Sequence, residues 1–231
     1  MPTLAPLRLL FAVLLTASGV TSAAGGVTEV MTADLALKRW PAEGMTSIRV
    51  DGLDILYVNP SAKLDGYRKV LLKPVSVEPN LDWRRKYFVP GSTWTLNLRP
   101  MIESTQTRAR AAVSDALTRG GYELTDQPAA DVIEVNASIV DIFLIAVKTG
   151  GGRIEKAEGD SLGSAALVAD IRDSVSGDLI LRVFDRDRAP KPRLPARRAG
   201  EEAEAWLNSA VDGWAALLPK ALDVSNRQRK Q

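Results

Sequence analysis

The stretch Ala165–Asp187, AALVADIRDSVSGDLILRVFDRD, constrains this chain more than any other. Ala165, Leu167, Ala169 and Ile171 alternate with Ala166, Val168, Asp170 and Arg172. Further on, Ile180, Arg182 and Phe184 alternate with Leu179, Leu181 and Val183. A period of two marks a half-buried strand. Between the limbs, Asp173, Ser174, Ser176 and Gly177 offer side chains that bond locally to backbone and a residue free to adopt positive φ. The stretch therefore reads as a β-hairpin, and a hairpin needs further strands or helices to cover its apolar face.

The rest of the chain supplies them. Ile48–Val58 reads as two short strands about an Asp51-Gly52 turn. Tyr67–Val77 reads as a strand whose Pro74 places it at a sheet edge, at a bulge, or ending near Lys73. Glu78–Gly91 carries no regular period. From Pro100 to Arg119, Ile102, Ala109, Val113 and Leu117 share a helical face with Ala112 and Ala116 beside them, and Gly120-Gly121 ends the pattern. Asp131–Val147 reads as a long strand, with Ile133, Val135, Ala137, Ile139 and Phe143 on one side. Thr149–Gly163 reads as a glycine-rich connection and Asp187–Gly200 as a proline-rich extended linker. Glu201–Leu222 is a second helix, with Trp206, Ala210, Trp214, Leu217 and Ala221 on one face flanked by Leu207, Val211 and Leu218. Pro219 is placed to end or kink it. The expected fold is α+β: a largely antiparallel, mixed β-sheet with two amphipathic α-helices packed on one face.

Residues 1–24 read as a cleavable signal peptide. Arg8 provides the positive charge, and Leu9–Leu15 is an apolar run too short to span a bilayer. Ser22 and Ala24 are the small pair for cleavage after Ala24; cleavage after Ala23 and an uncleaved anchor are the competing readings. Residues 25–45 then form a loose lead, 46–224 a single α+β domain, and 225–231 a basic polar tail. No later stretch is long and apolar enough for a transmembrane helix. The chain has no cysteine, so it has neither a disulfide framework nor a residue to carry a lipid. The expected location is the periplasm, without lipidation.

With 30 Lys+Arg against 28 Asp+Glu, the net charge is +2. Loss of Arg8 with the leader takes it to +1, too near zero for a nucleic-acid surface. Histidine is absent as well. That removes the usual general base, metal ligand and pH switch, leaving carboxylates, Lys, Tyr and Ser for any chemistry.

Four stretches resemble sites. Gly159-Asp160-Ser161-Leu162-Gly163 fits the letters of a nucleophile elbow, but it leads into a strand and has no histidine to activate Ser161; Lys156 is the alternative base. It reads as a polar turn. Gly150-Gly151-Gly152-Arg153 lacks phosphate-loop spacing and reads as a hairpin loop. Asp170, Asp173, Asp185 and Asp187 lack the spacing of a cation loop, and the interleaved Arg172, Arg182, Arg186 and Arg188 favour cross-strand ion pairs. Trp83-Arg84-Arg85-Lys86-Tyr87 mixes cations with aromatics, as a surface for an acidic partner, a glycan or anionic lipid would. The competing reading has Trp83 and Tyr87 dipping into the core. Trp206 and Trp214, at helical spacing, read as core. No catalytic, metal or cofactor residues are expected.

The order YRKVLLKPVSVE, a helix, RGGYELTDQPAADVIEVNASIVDI, VADIRDSVSGDLILRVFDRDRAP and a Trp-containing helix resembles a bacterial envelope family, domain-of-unknown-function family number 3313. The resemblance spans Tyr67 to Leu222. Many members look like lipoproteins, and this chain departs from them in lacking a lipidation cysteine. The resemblance implies an envelope location and brings no catalytic residues. The expected function is that of a non-enzymatic binding or assembly-accessory module. It would contact an envelope protein or a second copy through a sheet edge or the Trp83–Tyr87 segment, with peripheral membrane contact compatible with that segment. A small-ligand or glycan-binding protein is the alternative, and a carboxylate-based hydrolase a weaker one. The readings differ in what they require: an exposed apolar patch for protein contact, a polar-lined cleft for a ligand.

Overall fold

The structure is a computed structural model that describes residues 44–62, 66–87, 98–150, 153–193 and 196–228. The expected leader 1–24 and nearly all of the lead 25–45 lie outside the described residues. The strands are β1 (Thr46–Ile48), β2 (Ile55–Val58), β3 (Lys69–Leu72), β4 (Ser76–Pro79), β5 (Glu123–Thr125), β6 (Val132–Gly150), β7 (Arg153–Asp173) and β8 (Leu179–Arg188). The helices are α1 (Leu81–Tyr87), α2 (Leu98–Arg119) and α3 (Ala196–Gln228).

All eight strands join one mixed sheet, ordered β1-β2-β8-β7-β6-β3-β5, with β4 also paired to β6. The expected hairpin is its centre. β7 and β8 pair antiparallel from Ser164↔Arg188 to Arg172↔Leu179. At its turn the Asp173 carboxylate accepts the backbone N–H groups of Val175 and Ser176 at 2.9 and 2.6 Å, and Gly177 takes φ +76°. Tyr67 donates its hydroxyl to the same carboxylate at 2.6 Å, which holds Asp173 below the usual carboxylate range. Burial, and then this bond, push Tyr67 up to about 12.

Pro74 acts as a divider. Of the expected placements, the strand end near Lys73 is the one found: β3 stops at Leu72 after pairing with Val132–Val135 of β6, and β4 pairs with the stretch from Ser138 onward, both parallel, with Pro74 between them. A residue without an N–H breaks the ladder there, and two short strands share one edge of β6 in succession. The expected connection over Thr149–Gly163 is instead strand: β6 and β7 continue to a hairpin end at Gly150↔Arg153. The irregular stretch Glu78–Gly91 begins with the end of β4 and then forms α1, a short helix not expected from the sequence.

Helices α2 and α3 cover one face. Ala109, Val113, Ala116 and Leu117 of α2 are buried there. So are Leu207, Ala210, Val211, Trp214, Leu218, Ala221 and Leu222 of α3, whereas Trp206 and Leu217 are only partly buried. They meet the alternate residues Ile133, Val135, Ala137 and Ile139 of β6 and Leu167, Ala169 and Ile171 of β7. Burying a large apolar side chain contributes about 1.5–3 kcal/mol, so this layer dominates stability. Pro219 lies inside α3 and does not end it; the helix runs on to Gln228 and so takes in most of the expected tail. No helix among the described residues is long and apolar enough to cross a membrane.

The opposite face carries a smaller cluster of Val140, Ala166, Val168 and Phe184, with Ile55 and Tyr57 packed against it. Polar side chains continue the face in both directions, and one end of it forms a cleft.

Candidate functional site

The cleft arises where β6 and β7 both lose their regular pleat. Along β6, the register steps from Val140↔Ala166 to Phe143↔Ser164, an advance of three residues against two. Asp141 absorbs the extra residue in the left-handed region at φ +54°. Asp is among the few residue types that enter this region, and such bulges re-aim side chains beside functional sites. The bulge also reverses the expected orientation of Phe143. Its partner Ser164 lies on the face of Ala166 and Val168, so Phe143 turns away from the face of Ile133, Val135, Ala137 and Ile139.

A second irregularity follows in β7. Between Leu144↔Gly163 and Ala146↔Glu158, β7 advances five residues against two in β6. The Gly159–Gly163 motif supplies the excess, so it forms a wide bulge inside a strand and not a turn preceding one. Ser161 is buried and its hydroxyl donates to the Gly163 carbonyl at 3.4 Å.

Between these bulges lies a cleft of about 500 Å³. Asp141, Phe143, Ser161 and Ser164 contribute from β6 and β7, Arg186 and Arg188 from β8, and Asn80 from the start of α1. Cross-strand pairing of Ser164 with Arg188 and of Ala166 with Arg186 puts these side chains on the face away from α2 and α3. Arg186 also lies over the Phe184 ring, 5.8 Å from its centroid. Asn80 is fixed from both sides. Its N–H donates to Ile142 at 2.9 Å, and its side-chain oxygen accepts the Trp83 N–H at 3.0 Å, capping α1.

Glu78 sits beside Asp141. Burial, and then the Asp141 charge, hold its carboxyl above the ordinary value of 4.5, and its Oε2 is buried without a hydrogen-bond partner. A raised carboxyl favours the folded state while protonated, and that contribution is lost as pH rises through the raised pKa. Glu78→Gln should therefore melt at a higher temperature than the parent at pH 7, with the gap closing as pH falls through the raised pKa toward about 4, where free carboxyls protonate. Thermal melts of both proteins from pH 4 to pH 8 check this.

The sequence-derived site residues are distributed differently. Trp83 is 3% exposed and packs edge-on against Phe143, ring centroids 6.2 Å apart, so it props the cleft wall from behind. Arg84 and Arg85 are exposed on α1, Arg85 lying 3.8 Å from Asp82. The side chains of Lys86 and Tyr87 lie outside the described residues. The four aspartates are dispersed. Asp170 is gripped across the strands by Arg182 at 2.8 Å, the pairing expected, and along its own strand by Arg172 at 3.0 Å. Asp185 faces the helices, where it accepts the Trp214 indole N–H at 2.7 Å and the Asp54 N–H at 3.0 Å, and burial pushes its carboxyl up. Gly150 and Arg153 close a hairpin; Gly151 and Gly152 lie outside the described residues.

No family model matches the chain, and no curated protein matches it. Solved structures similar to it include the PelC dodecamer from Paraburkholderia phytofirmans, at 11% identity over 69% of this chain and 92% of that one, TM-score 0.35. A neuraminyllactose-binding hemagglutinin homolog from Helicobacter pylori is similar at 15% identity over 73% and 92%, TM-score 0.39. Protein XCC0632 from Xanthomonas campestris is similar at 12% identity over 75% and 94%, TM-score 0.36.

Proposed function

We propose that this chain is a non-enzymatic binding module of the bacterial envelope, exported by residues 1–24, and that it binds a polar ligand in the cleft between the two bulges. The cleft itself carries the reading. Its volume falls in the range of small-molecule sites, and it gathers carboxylate, guanidinium, amide, hydroxyl and aromatic groups within one concavity. The exposed large hydrophobic residues among those described are Leu124 and Val175, on β5 and in the β7–β8 turn, which is too little for an apolar docking patch. Asp141 is the carboxylate of the described lining, and Glu78 beside it turns one oxygen into the protein, an arrangement that favours holding a ligand over two-carboxylate hydrolysis. The envelope location rests on the leader-like residues 1–24 and on the resemblance to family 3313.

Incubation of the purified mature protein with a small-molecule extract of the envelope, followed by washing and mass spectrometry, tests the reading. Retained compounds are expected for the parent and not for Ser164→Trp, which fills the cleft. At a hundredfold excess over Kd, a ligand stabilises by about 2.7 kcal/mol, a melting rise of roughly 5–10 °C for a chain of this size. Equal retention by Ser164→Trp would refute the cleft as the site.

A further inference from the structure

We propose that Asp185 is a proton-operated latch for α3: mild acid seats the helix more firmly on the sheet, and neutral pH loosens that seat. The latch lies on the helix-covered face and does not depend on the cleft, which opens on the other.

Three elements meet at this carboxylate. Trp214 is buried on the sheet side of α3, and its indole N–H donates to Asp185 Oδ2 at 2.7 Å, the acceptor a buried indole needs. Asp185 Oδ1 accepts the Asp54 N–H at 3.0 Å. The Asp54 carboxylate in turn accepts the Arg186 N–H at 2.9 Å, so β8 and the residue before β2 clasp each other reciprocally. Further along α3, Leu217 lies against the turn that precedes β2, where a Cβ added to Gly52 would fall 3.2 Å from its Cδ2. Asp185 thus ties α3 to β8 and to the approach to β2 at one point.

The point is a poor one for a negative charge. Asp54 falls opposite Asp185 by continuation of the pairs Leu56↔Val183 and Ile55↔Phe184, and Asp187 stands two residues along β8 on the same side. Arg186, between them in sequence, projects from the opposite face. β7 sets the apolar Leu167 opposite Asp185, and α3 brings the uncharged indole. Among the described residues, no ion pair includes Asp54, Asp185 or Asp187. Burial opposes ionisation most, the two hydrogen bonds favour it, and the Asp54 and Asp187 charges oppose it again; the balance holds the carboxyl above its ordinary value of 3.8. Such a group stabilises the fold while protonated, and the contribution is lost as pH rises through the raised value. The proton arrives from solvent on Oδ1, whose bond to the Asp54 N–H is exposed and passes to water. Oδ2 keeps the indole, and the repulsion within the patch falls.

Nuclear magnetic resonance on the parent, Asp187→Asn and Asp54→Asn tests the latch. The Trp214 indole N–H resonance, assigned by its loss in Trp214→Phe, should titrate with a midpoint above 3.8. Each asparagine removes one like charge, and at position 54 it keeps an oxygen for the Arg186 N–H, so both variants should bring that midpoint down. Amide-exchange protection factors over Val211–Leu218 should be several-fold higher at pH 5 than at pH 7 in the parent, and should change less in Asp187→Asn. Asp187 holds no side-chain hydrogen bond among the described residues, and Glu78 is untouched, so the difference between the two proteins isolates Asp185. A midpoint at or below 3.8, or one that neither substitution moves, would overturn the latch. So would an equal change in protection in the parent and in Asp187→Asn.

Discussion

Trp83→Ala is expected to lower stability by about 3–5 kcal/mol, the range for deleting a large buried aromatic side chain, and to depress the melting temperature by roughly 10 °C. Trp83 is 3% exposed, and its ring backs Phe143 in the cleft wall. Its removal would open a cavity between α1 and β6 that neither element can close. α1 has only seven residues, and its Asn80 end is already bound to Ile142. The same substitution bears on how this segment is used. If Trp83 were a surface contact, alanine would cost partner binding and little stability. A calorimetric melt separates the two. The protein-contact reading falls to Arg84 and Arg85, which are exposed on α1. An Arg84→Glu, Arg85→Glu double variant should melt within about 0.5 kcal/mol of the parent, as surface changes usually do. Crosslinking in intact cells should then show whether an envelope partner is lost.

Legibility followed periodicity. The central hairpin was readable because alternation, a turn sequence and paired lengths agree there, and all three are local properties. Both long helices were readable for the same reason, although the buried stripe of α3 centres nearer Leu207, Val211 and Leu218 than Trp206 and Leu217. α1 was not readable, because two turns of helix carry too few residues to establish a period of 3.6. The cleft was hidden for a deeper reason. Strand reading assumes an unbroken period of two, and one extra residue inverts every side chain beyond it. Asp141 inserts that residue without glycine or proline to signal it, so unbroken alternation puts Phe143 on the wrong face. In the sequence, Arg186 and Arg188 read as ion-pair partners of neighbouring aspartates. Their convergence with Asp141 and Asn80 depends on which strands adjoin, which no local pattern contains. The one visible trace was Asp141 itself, a charge set between apolar neighbours Val140 and Ile142.

Gly163→Ala should be the most damaging glycine-to-alanine change among the described glycines, costing about 3 kcal/mol, the upper end of ordinary overpacking. The requirement is for space and not for an unusual backbone angle, since the positive-φ glycines lie elsewhere, at positions such as Gly121 and Gly177. A Cβ on Gly163 would fall on the carbonyl oxygen of Phe143, 2.9 Å from the Leu144 Cδ2 and 3.0 Å from the Trp206 Cζ3. Side chains can rotate aside, but the Phe143 carbonyl belongs to the paired strand. Nor can Gly163 retreat readily, because its own carbonyl accepts the Ala189 N–H at 2.9 Å and the Ser161 hydroxyl at 3.4 Å. Relief must come from parting β6 and β7, where both bulges meet and the cleft is formed. Gly177→Ala makes the contrasting case. It places a side chain at φ +76° but meets nothing within 4 Å, so its cost should stay near 1 kcal/mol. Denaturant titration of the two variants would rank them, with Gly163→Ala also losing ligand retention and Gly177→Ala keeping it. The reverse order would mean that β6 and β7 separate freely at this level, and a cleft built on their close approach could not hold a fixed shape. Within the Gly159–Gly163 motif, the serine attracts attention as chemistry, yet the final glycine is what allows the two strands to meet.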